Sequence, residues 1–527
     1  MPAVPTPAAL GPHRGDPWFA LLCAAVVPVT ALAAYIGKGN LAVAAAPTLA
    51  VALGWLIWRL PARTTLLVLL FLGLTLECAQ EIPAAGLWRS PLYRFGEILL
   101  SKANDWTHVK PLIFTGVDVV VFYLIVVLVW RRATGSTIDI AGRAQTAGVM
   151  ALASGISFAS ILWIWGWGLA QGGDFGNALL QVYKLLYIPL LFFVCQAALR
   201  GPPDQAAVAK VIVGAALCRS ALAIYVRNTV VVPPNAELPY ATTHGDSMLF
   251  ASATALLIAL ANERVGARVR GRSLAILAGL ALLLAGMIAN QRRVVWVELA
   301  AIVVTFYFMS GWTPLKRRVT RLVICTLPIL AVYMAAGWGS ESGALFAPVR
   351  LARSVLDSSS DSSTLWRDLE NIDLILTIGQ NPVFGTGLGH GYLEAIKLPD
   401  VSAQFPLYRY VPHNSLLGFL GFAGVLGFSL MWCILTVGLF LAARSYYRSA
   451  VPLDRAMALW AIATFVGYFN SVYADMGQFS WAGVFTVCPA LALVSKLAVA
   501  SGAWPARLRK PLEAPPETVA LEWVTTG

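Results

Sequence analysis

Long apolar runs separated by short polar links occupy most of this chain. They fall at about 17–36, 40–58, 64–78, 111–130, 147–169, 177–199, 206–231, 246–262, 273–290, 293–310, 319–337, 414–443, 455–474 and 477–498. At a rise of about 1.5 Å per residue, runs of this kind reach across the hydrocarbon of a bilayer as helices. Backbone polar groups have no water to bond there, and apolar runs of this length satisfy them as helices. The pattern therefore predicts fourteen transmembrane helices. The first run contains Ala31-Leu32-Ala33, the small-x-small form of a signal cleavage site. Its lead is poorly basic and the run is long, so it reads as a membrane helix.

Composition agrees. Hydrophobic residues make up 58% of the chain and charged residues only 12%, against about 25% charged in soluble domains, and mean hydropathy is +0.72. The fold class is all-α, a polytopic integral membrane protein. The net charge of +12 resides in links, with no basic stripe interleaved by aromatics, which argues against nucleic acid as a partner. With the N-terminus inside, Arg59 and Arg63, Arg131, Arg132 and Arg143, Arg200 and Lys210, the arginines of 264–272, those of 317–321 with Lys316, and Arg444, Arg448 and Arg455 all fall on the cytoplasmic side. That is a consistent positive-inside pattern. Parity then puts 338–413 outside, in the periplasm, where five Lys/Arg stand against eight Asp/Glu. The expected organisation is helices 1–11 over 1–337, a periplasmic loop over 338–413, helices 12–14 over 414–498 and a cytoplasmic tail over 499–527. The seven cysteines form no CxxC pair and read as inert thiols among apolar neighbours. No metal-ligand spacing is present.

The link 338–413 far exceeds the 2–8 residues that usually join helices. Within it Leu365, Leu369, Ile372, Ile375 and Leu376 recur at three- and four-residue spacing, which predicts an amphipathic helix lying along the membrane surface. Asn381-Pro382 ends it. Gly385, Gly387, Gly389 and Gly391 follow in GTGLGHG. No strand precedes them and no helix opens at nucleotide-loop spacing, so they read as turn formers. His413-Asn414 stands directly before the next apolar run. A neutral imidazole there is able to take a proton from a hydroxyl; alternatively it is an interfacial histidine beside a helix capped by Asn414 or Ser415.

Several charges break the membrane rules. Arg292 and Arg293 sit at an outer helix end against the orientation bias, Arg227 at another, Arg219 about two turns deeper, and Lys184 in the outer third of its helix. Arginine at a helix centre costs about 2.5–3.5 kcal/mol on insertion scales. Grouped, these residues predict a cationic cup for an anionic lipid, since guanidinium matches phosphate oxygens in bidentate geometry. Taken singly, Lys184 and Arg227 are explained by snorkelling to the headgroups. Glu298 is five or six residues from the Arg292–Arg293 pair and on another helix face. His244 and Asp246, in a further outer link, are secondary candidates, and the first long outer link, about 79–110, carries Arg89, Arg94, Glu97 and His108.

The succession of NQRR at an outer helix end, WRDLENIDLILTIGQNPVFGTGLGHGY in a long outer loop, and PHNSLLGFLGFAGVLG at the next helix resembles the O-antigen ligase/polymerase family of polytopic glycosyltransferases. The resemblance is clearest over about 285–430. It implies a GT-C-like membrane enzyme of the bacterial inner membrane that moves a glycan from undecaprenyl diphosphate to a hydroxyl acceptor on the periplasmic face. No nucleotide sugar, metal or other cofactor is implied, because the leaving group is already a lipid diphosphate. By position, the family's helix-end arginine falls on Arg292 or Arg293, its loop arginine on Arg367 and its loop-end histidine on His413. Many relatives have one arginine followed by glycine where this chain has Arg-Arg-Val, so the motif leaves both arginines open.

The leading expectation is an inverting glycosyltransferase. Arg292, Arg293 and Arg367 hold the diphosphate, His413 orients or deprotonates the acceptor, and Asn414, Arg227, Arg219, Lys184 and His244 bind substrate. The stretch from WRDLENIDL to YVPHNS is closer to the polymerase branch than to the ligases that attach glycan to lipid A core. Its expected partners are the lipid-linked donor, a glycan or lipid-linked acceptor, membrane lipid, and polysaccharide export or chain-length proteins. A transporter or flippase for an anionic lipid-linked substrate is the reading from another class. It calls for repeats between halves and broken helices near the midplane, and neither is apparent in the sequence. A non-catalytic assembly partner is a third.

Overall fold

A computed structural model of the chain describes residues 17–39, 41–76, 92–107, 113–136, 138–139, 143–231, 241–265, 271–312, 314–340, 343, 345–356, 362–398, 407–474 and 480–505. Every apolar run of the sequence is a helix. In order they are α1 (Pro17–Ile36), α2 (Leu41–Arg59), α3 (Ala62–Thr75), then two short helices of the first long link, α4 (Tyr93–Leu100) and α5 (Ala103–Thr107). There follow α6 (Gly116–Ala133), α7 (Gly148–Ala170), α8 (Phe175–Ala198), α9 (Gln205–Val226), α10 (Gly245–Asn262), α11 (Arg272–Asn290), α12 (Val294–Met309) and α13 (Pro314–Gly337). The second long link holds α14 (Ala347–Leu356) and α15 (Ser362–Gln380), and the chain closes with α16 (Ser415–Arg448), α17 (Pro452–Ala474) and α18 (Trp481–Ala500). Among the described residues nine helices are long and apolar enough to cross a membrane, and α1, α2, α3 and α12 supply shorter apolar segments. The protein is an all-α polytopic membrane protein.

The middle of the bundle is made by α10, α16, α17 and α18. Alanines are among the buried residues of α10 and α18, including Ala251, Ala255, Ala259, Ala490, Ala492 and Ala498. Small side chains let helix backbones approach where lipid offers no hydrophobic drive for association. Hydroxyls join the helices: Ser252 Oγ lies 2.8 Å from Thr464 Oγ1 and accepts from Trp460 Nε1 at 2.9 Å. Ser157 and Ser160 of α7 donate to the carbonyls of Met431 and Gly427. At the periphery α13 exposes apolar side chains on all sides, with Leu322, Ile329 and Val332 each over 60% exposed (63%, 70% and 69%), as a lipid-facing helix does.

Ion pairs hold several of the basic links. At the end carrying those links, Arg63 and Arg200 both bind Asp204, Arg131 binds Asp139, and Arg455 binds Glu263. Each arginine is one that the charge pattern assigns to the inner links.

One feature departs from the sequence reading. Helix α16 is broken at Gly424, whose φ of 61° and ψ of 176° lie outside the helical range. The segment after α15 fills the break. Thr386 and Gly387 donate to the carbonyls of Gly421 and Phe422 at 3.1 and 2.8 Å, while Val425 and Leu426 donate to those of Pro382 and Val383 at 2.8 and 3.2 Å. A broken helix in a low-dielectric setting is tolerable when its freed groups find partners, and here the loop supplies them. Gly421, Gly424 and Gly427 look in sequence like one small-residue helix face, which hid the break. The loop glycines behave as read: Gly385, Gly387 and Gly389 take φ of 71°, 82° and 94°.

A Cβ at Gly424 would meet the Val383 backbone at 2.3 Å, and its conformation is nearly restricted to glycine. Gly424→Ala is expected to cost about 2 kcal/mol or more, read as a lower melting temperature in detergent. Gly155→Ala, where nothing lies within 4 Å, is the control and is expected to leave that temperature unchanged or raised.

Candidate functional site

Helix α15 organises the site, with its apolar side turned outward. Leu365, Ile372, Ile375 and Leu376 are 43–57% exposed, while Glu370, Asp373 and Thr377 are essentially fully buried. The three- and four-residue spacing that predicted an amphipathic helix is real, and the polar face is the one against the protein. That inner face ties down the chain that follows. Thr377 Oγ1 accepts from the Leu393 N–H at 2.9 Å, and Asp373 Oδ1 accepts from Ala395 and Ile396 at 3.1 and 2.9 Å. Further along, Tyr392 and Arg409 exchange hydrogen bonds, and Gln181 of α8 binds the carbonyls of His390 and Tyr410 and the N–H of Gly389. The loop is thereby held on α7, α8 and α16.

Four residues of the α15 face, Thr364, Arg367, Asp368 and Asn371, line a cavity of about 180 Å³. Its other walls are Arg293, Val294 and Val297 from the start of α12, Asn414 from the start of α16, and Tyr473 and Ala474 from the end of α17. All are helix ends that the charge pattern places on one side. Asn414 is the N-cap of α16: its side chain accepts from Leu417 N at 3.2 Å and donates to Asn371 Oδ1 at 2.9 Å. Capping and cavity lining are therefore both roles of this residue, and the capping alternative for the motif holds for Asn414. His413 is adjacent and 24% exposed at its side chain. Its N–H donates to Glu370 at 3.1 Å, its Nδ1 lies 3.4 Å from the same carboxylate, and its ring meets Trp366 edge to face at 4.8 Å. Burial, then the charge of Glu370, holds the Tyr392 hydroxyl well above the ordinary tyrosine range.

The expected cationic cup is divided. Arg219 is 1% exposed and binds Asp246 through two hydrogen bonds of 2.8 and 2.6 Å between α9 and α10. This guanidinium is paired inside the bundle, where it links α9 to α10 through Asp246. Lys184 Nζ lies over the Trp481 ring, 5.4 Å from its centre. Arg227 lines a separate open groove of about 380 Å³ with Asn228, Gln291 and the apolar ends of α9 and α11. Arg293 lines the α15 cavity, whereas Arg292 is half-buried in the turn between α11 and α12. His244 precedes α10 in a segment pinned by Asn290, which accepts from Thr242 N at 2.9 Å. Arg94 pairs with Glu97 at 2.8 Å; Arg89 and His108 lie outside the described residues. Glu298 is buried in α12. Among the described residues no group of three His, Cys, Asp or Glu is placed to hold a metal ion.

Glu370, Asn371, Asp368 and Tyr473 were not singled out from the sequence. For the first three the signal was present. They lie one, three or four residues from Arg367, so a helix that presents Arg367 inward presents most of them too.

Residues 278–432, which include Arg293, Arg367, His413 and Asn414, match the family model described as O-antigen ligase (Wzy_C). A search of curated proteins finds no significant match.

Breaking a buried pair strands the remaining charge, at a cost of about 3–5 kcal/mol. Asp246→Asn is expected to lower folded yield and melting temperature by that mechanism. In the fraction that folds, affinity for a lipid diphosphate is expected to stay within about twofold, because Asp246 does not line the α15 cavity; isothermal binding on purified protein checks it.

Proposed function

We propose that this chain, whose 278–432 segment belongs to the O-antigen ligase/polymerase family, transfers a glycan from undecaprenyl diphosphate to a hydroxyl acceptor on the periplasmic face of the bacterial inner membrane. The family match and the membrane helices make it a membrane enzyme of polysaccharide assembly. The finer reading rests on one observation: Arg293, Arg367 and Asn414 come from three distant parts of the chain and line one cavity, with His413 beside Asn414.

In this reading Arg293 and Arg367 hold the two phosphates through charge-assisted hydrogen bonds. They stabilise the negative charge that grows as the bond between the anomeric carbon and the diphosphate oxygen breaks. His413 accepts the acceptor's hydroxyl proton as that oxygen forms the new glycosidic bond, so lipid diphosphate leaves and the anomeric configuration inverts. Asn414 and Asn371 orient sugar hydroxyls. Segments 382–398 and 407–413 flank the site and limit the access of water. A second lipid-linked repeat is the acceptor we favour, which makes the enzyme a polymerase; the resemblance of 366–415 to that branch is the support. The break in α16 is a feature that transporters also use. Here it is filled by residues 382–387 instead of lining an open cavity, which favours the enzyme.

Removing one donor to a developing charge costs about 10²–10³ in rate. Purified protein is supplied with lipid-diphosphate oligosaccharide, and release of lipid diphosphate and growth of glycan are followed. Arg293→Ala and Arg367→Ala are each expected to lose about 10²-fold or more in turnover, and Arg292→Ala less than tenfold. A ladder of repeats identifies a polymerase, and release only with added lipid A core identifies a ligase. Transport of intact donor without release contradicts the enzyme reading. For orientation, Lys397→Cys in a background with the seven native cysteines replaced is expected to react with an impermeant maleimide from the periplasmic side only.

A further inference from the structure

Resting on the enzyme reading above, we infer that Glu370 is the positioning residue of His413, holding the imidazole with its proton on Nδ1 and its free lone pair on Nε2. Glu370 is fully buried, and among the described residues the hydrogen bonds of its carboxylate go to His413. The His413 N–H reaches its two oxygens at 3.3 and 3.1 Å, and His413 Nδ1 lies 3.5 and 3.4 Å from them. A carboxylate has acceptors only. Facing Nδ1, it selects the tautomer that carries hydrogen there, which leaves Nε2 as the site that receives a proton. A carboxylate or carbonyl behind a working imidazole has the same effect in other hydrolytic and metal sites.

The surroundings fix the ring as well as the tautomer. Trp366 packs its edge or face against the imidazole at 4.8 Å, and Tyr408 lies behind Trp366 at 6.4 Å. Trp366, Arg367, Glu370 and Asn371 all belong to α15, so one rigid helix sets the position of the cation, the imidazole and the amide together. Arg367 and Asn371 line the cavity wall, while Glu370 and Trp366 sit against His413. Asn414, which follows His413, is held to Asn371, so the histidine is fixed through this chain neighbour and from behind. The buried carboxylate is thus explained by the residue it serves.

Glu370→Gln distinguishes this role from mere packing. The glutamine keeps the shape, and its one oxygen is claimed by the His413 backbone N–H, which turns the NH₂ group toward Nδ1. A donor there selects the opposite tautomer, with hydrogen on Nε2. Nitrogen-15 NMR of the histidine-labelled protein in detergent, with the His413 signal assigned through His413→Gln, reads the tautomer directly. Wild type is expected to carry the proton on Nδ1 and Glu370→Gln on Nε2. Turnover is expected to fall about 10²-fold or more with KM for the lipid-diphosphate oligosaccharide within about threefold, since the arginines that bind the donor are untouched. Glu370→Asp, which keeps the acceptor, is expected to restore the Nδ1 tautomer and part of the turnover. Melting temperatures of the variants control for folding. A wild-type imidazole protonated on Nε2 overturns the inference, as does a Glu370→Gln protein with unchanged tautomer and turnover. A tautomer that switches without loss of turnover upholds the pair and counts against His413 as the base.

Discussion

The exchange of backbone hydrogen bonds between the break in α16 and residues 382–387 is the constraint on which the site depends. Interrupting a helix frees carbonyls and N–H groups that hydrocarbon cannot satisfy. In this chain two carbonyls before Gly424 and two N–H groups after it are paired with the loop. The loop is therefore held at a fixed depth and register on α16. Its preceding helix, α15, and its continuation, 388–398, inherit that position. His413 and Asn414 lie at the start of the same broken helix, so both ends of the site are referred to one backbone feature.

From this anchor the orientation of α15 follows. Held against the bundle, the helix buries Glu370, Asp373 and Thr377, each of which has a polar partner, and leaves Leu365, Ile372, Ile375 and Leu376 outside. In water that arrangement would be unfavourable by roughly 1.5–3 kcal/mol for each large apolar side chain left exposed. Against lipid it is the favoured one. The surface of the protein beside the site is thus fitted to acyl chains, while the inner face of the same helix carries the polar groups. A substrate with a long lipid and a charged, hydroxyl-rich head encounters both environments within one helix width.

Much of this was legible in the sequence. Hydropathy located the long apolar helices, because apolar runs are a local property of the chain. The stop at Asn381-Pro382 and the turn role of Gly385, Gly387 and Gly389 follow from backbone chemistry at those residues. What escaped was tertiary. Periodicity established that α15 has two faces but not which one meets lipid. The pairing of Arg219 with Asp246 joins two helices, and no local pattern pairs residues of different helices. Arg292 and Arg293 are equivalent in sequence; only the turn between α11 and α12 turns Arg293 into the cavity. Glu370 was passed over as one of several acids in WRDLENIDL, and its significance depends on a histidine from the far end of the loop.

The central claim is that the cavity between α12, α15, α16 and α17 binds a lipid diphosphate. An electron cryo-microscopy map of the protein in nanodiscs with undecaprenyl diphosphate tests it most directly. Density for the two phosphates between Arg293 and Arg367, with the lipid leaving toward the exposed apolar side of the bundle, is the expected result. Phosphates seated instead in the groove of Arg227, Asn228 and Gln291, with the α15 cavity empty, would contradict it.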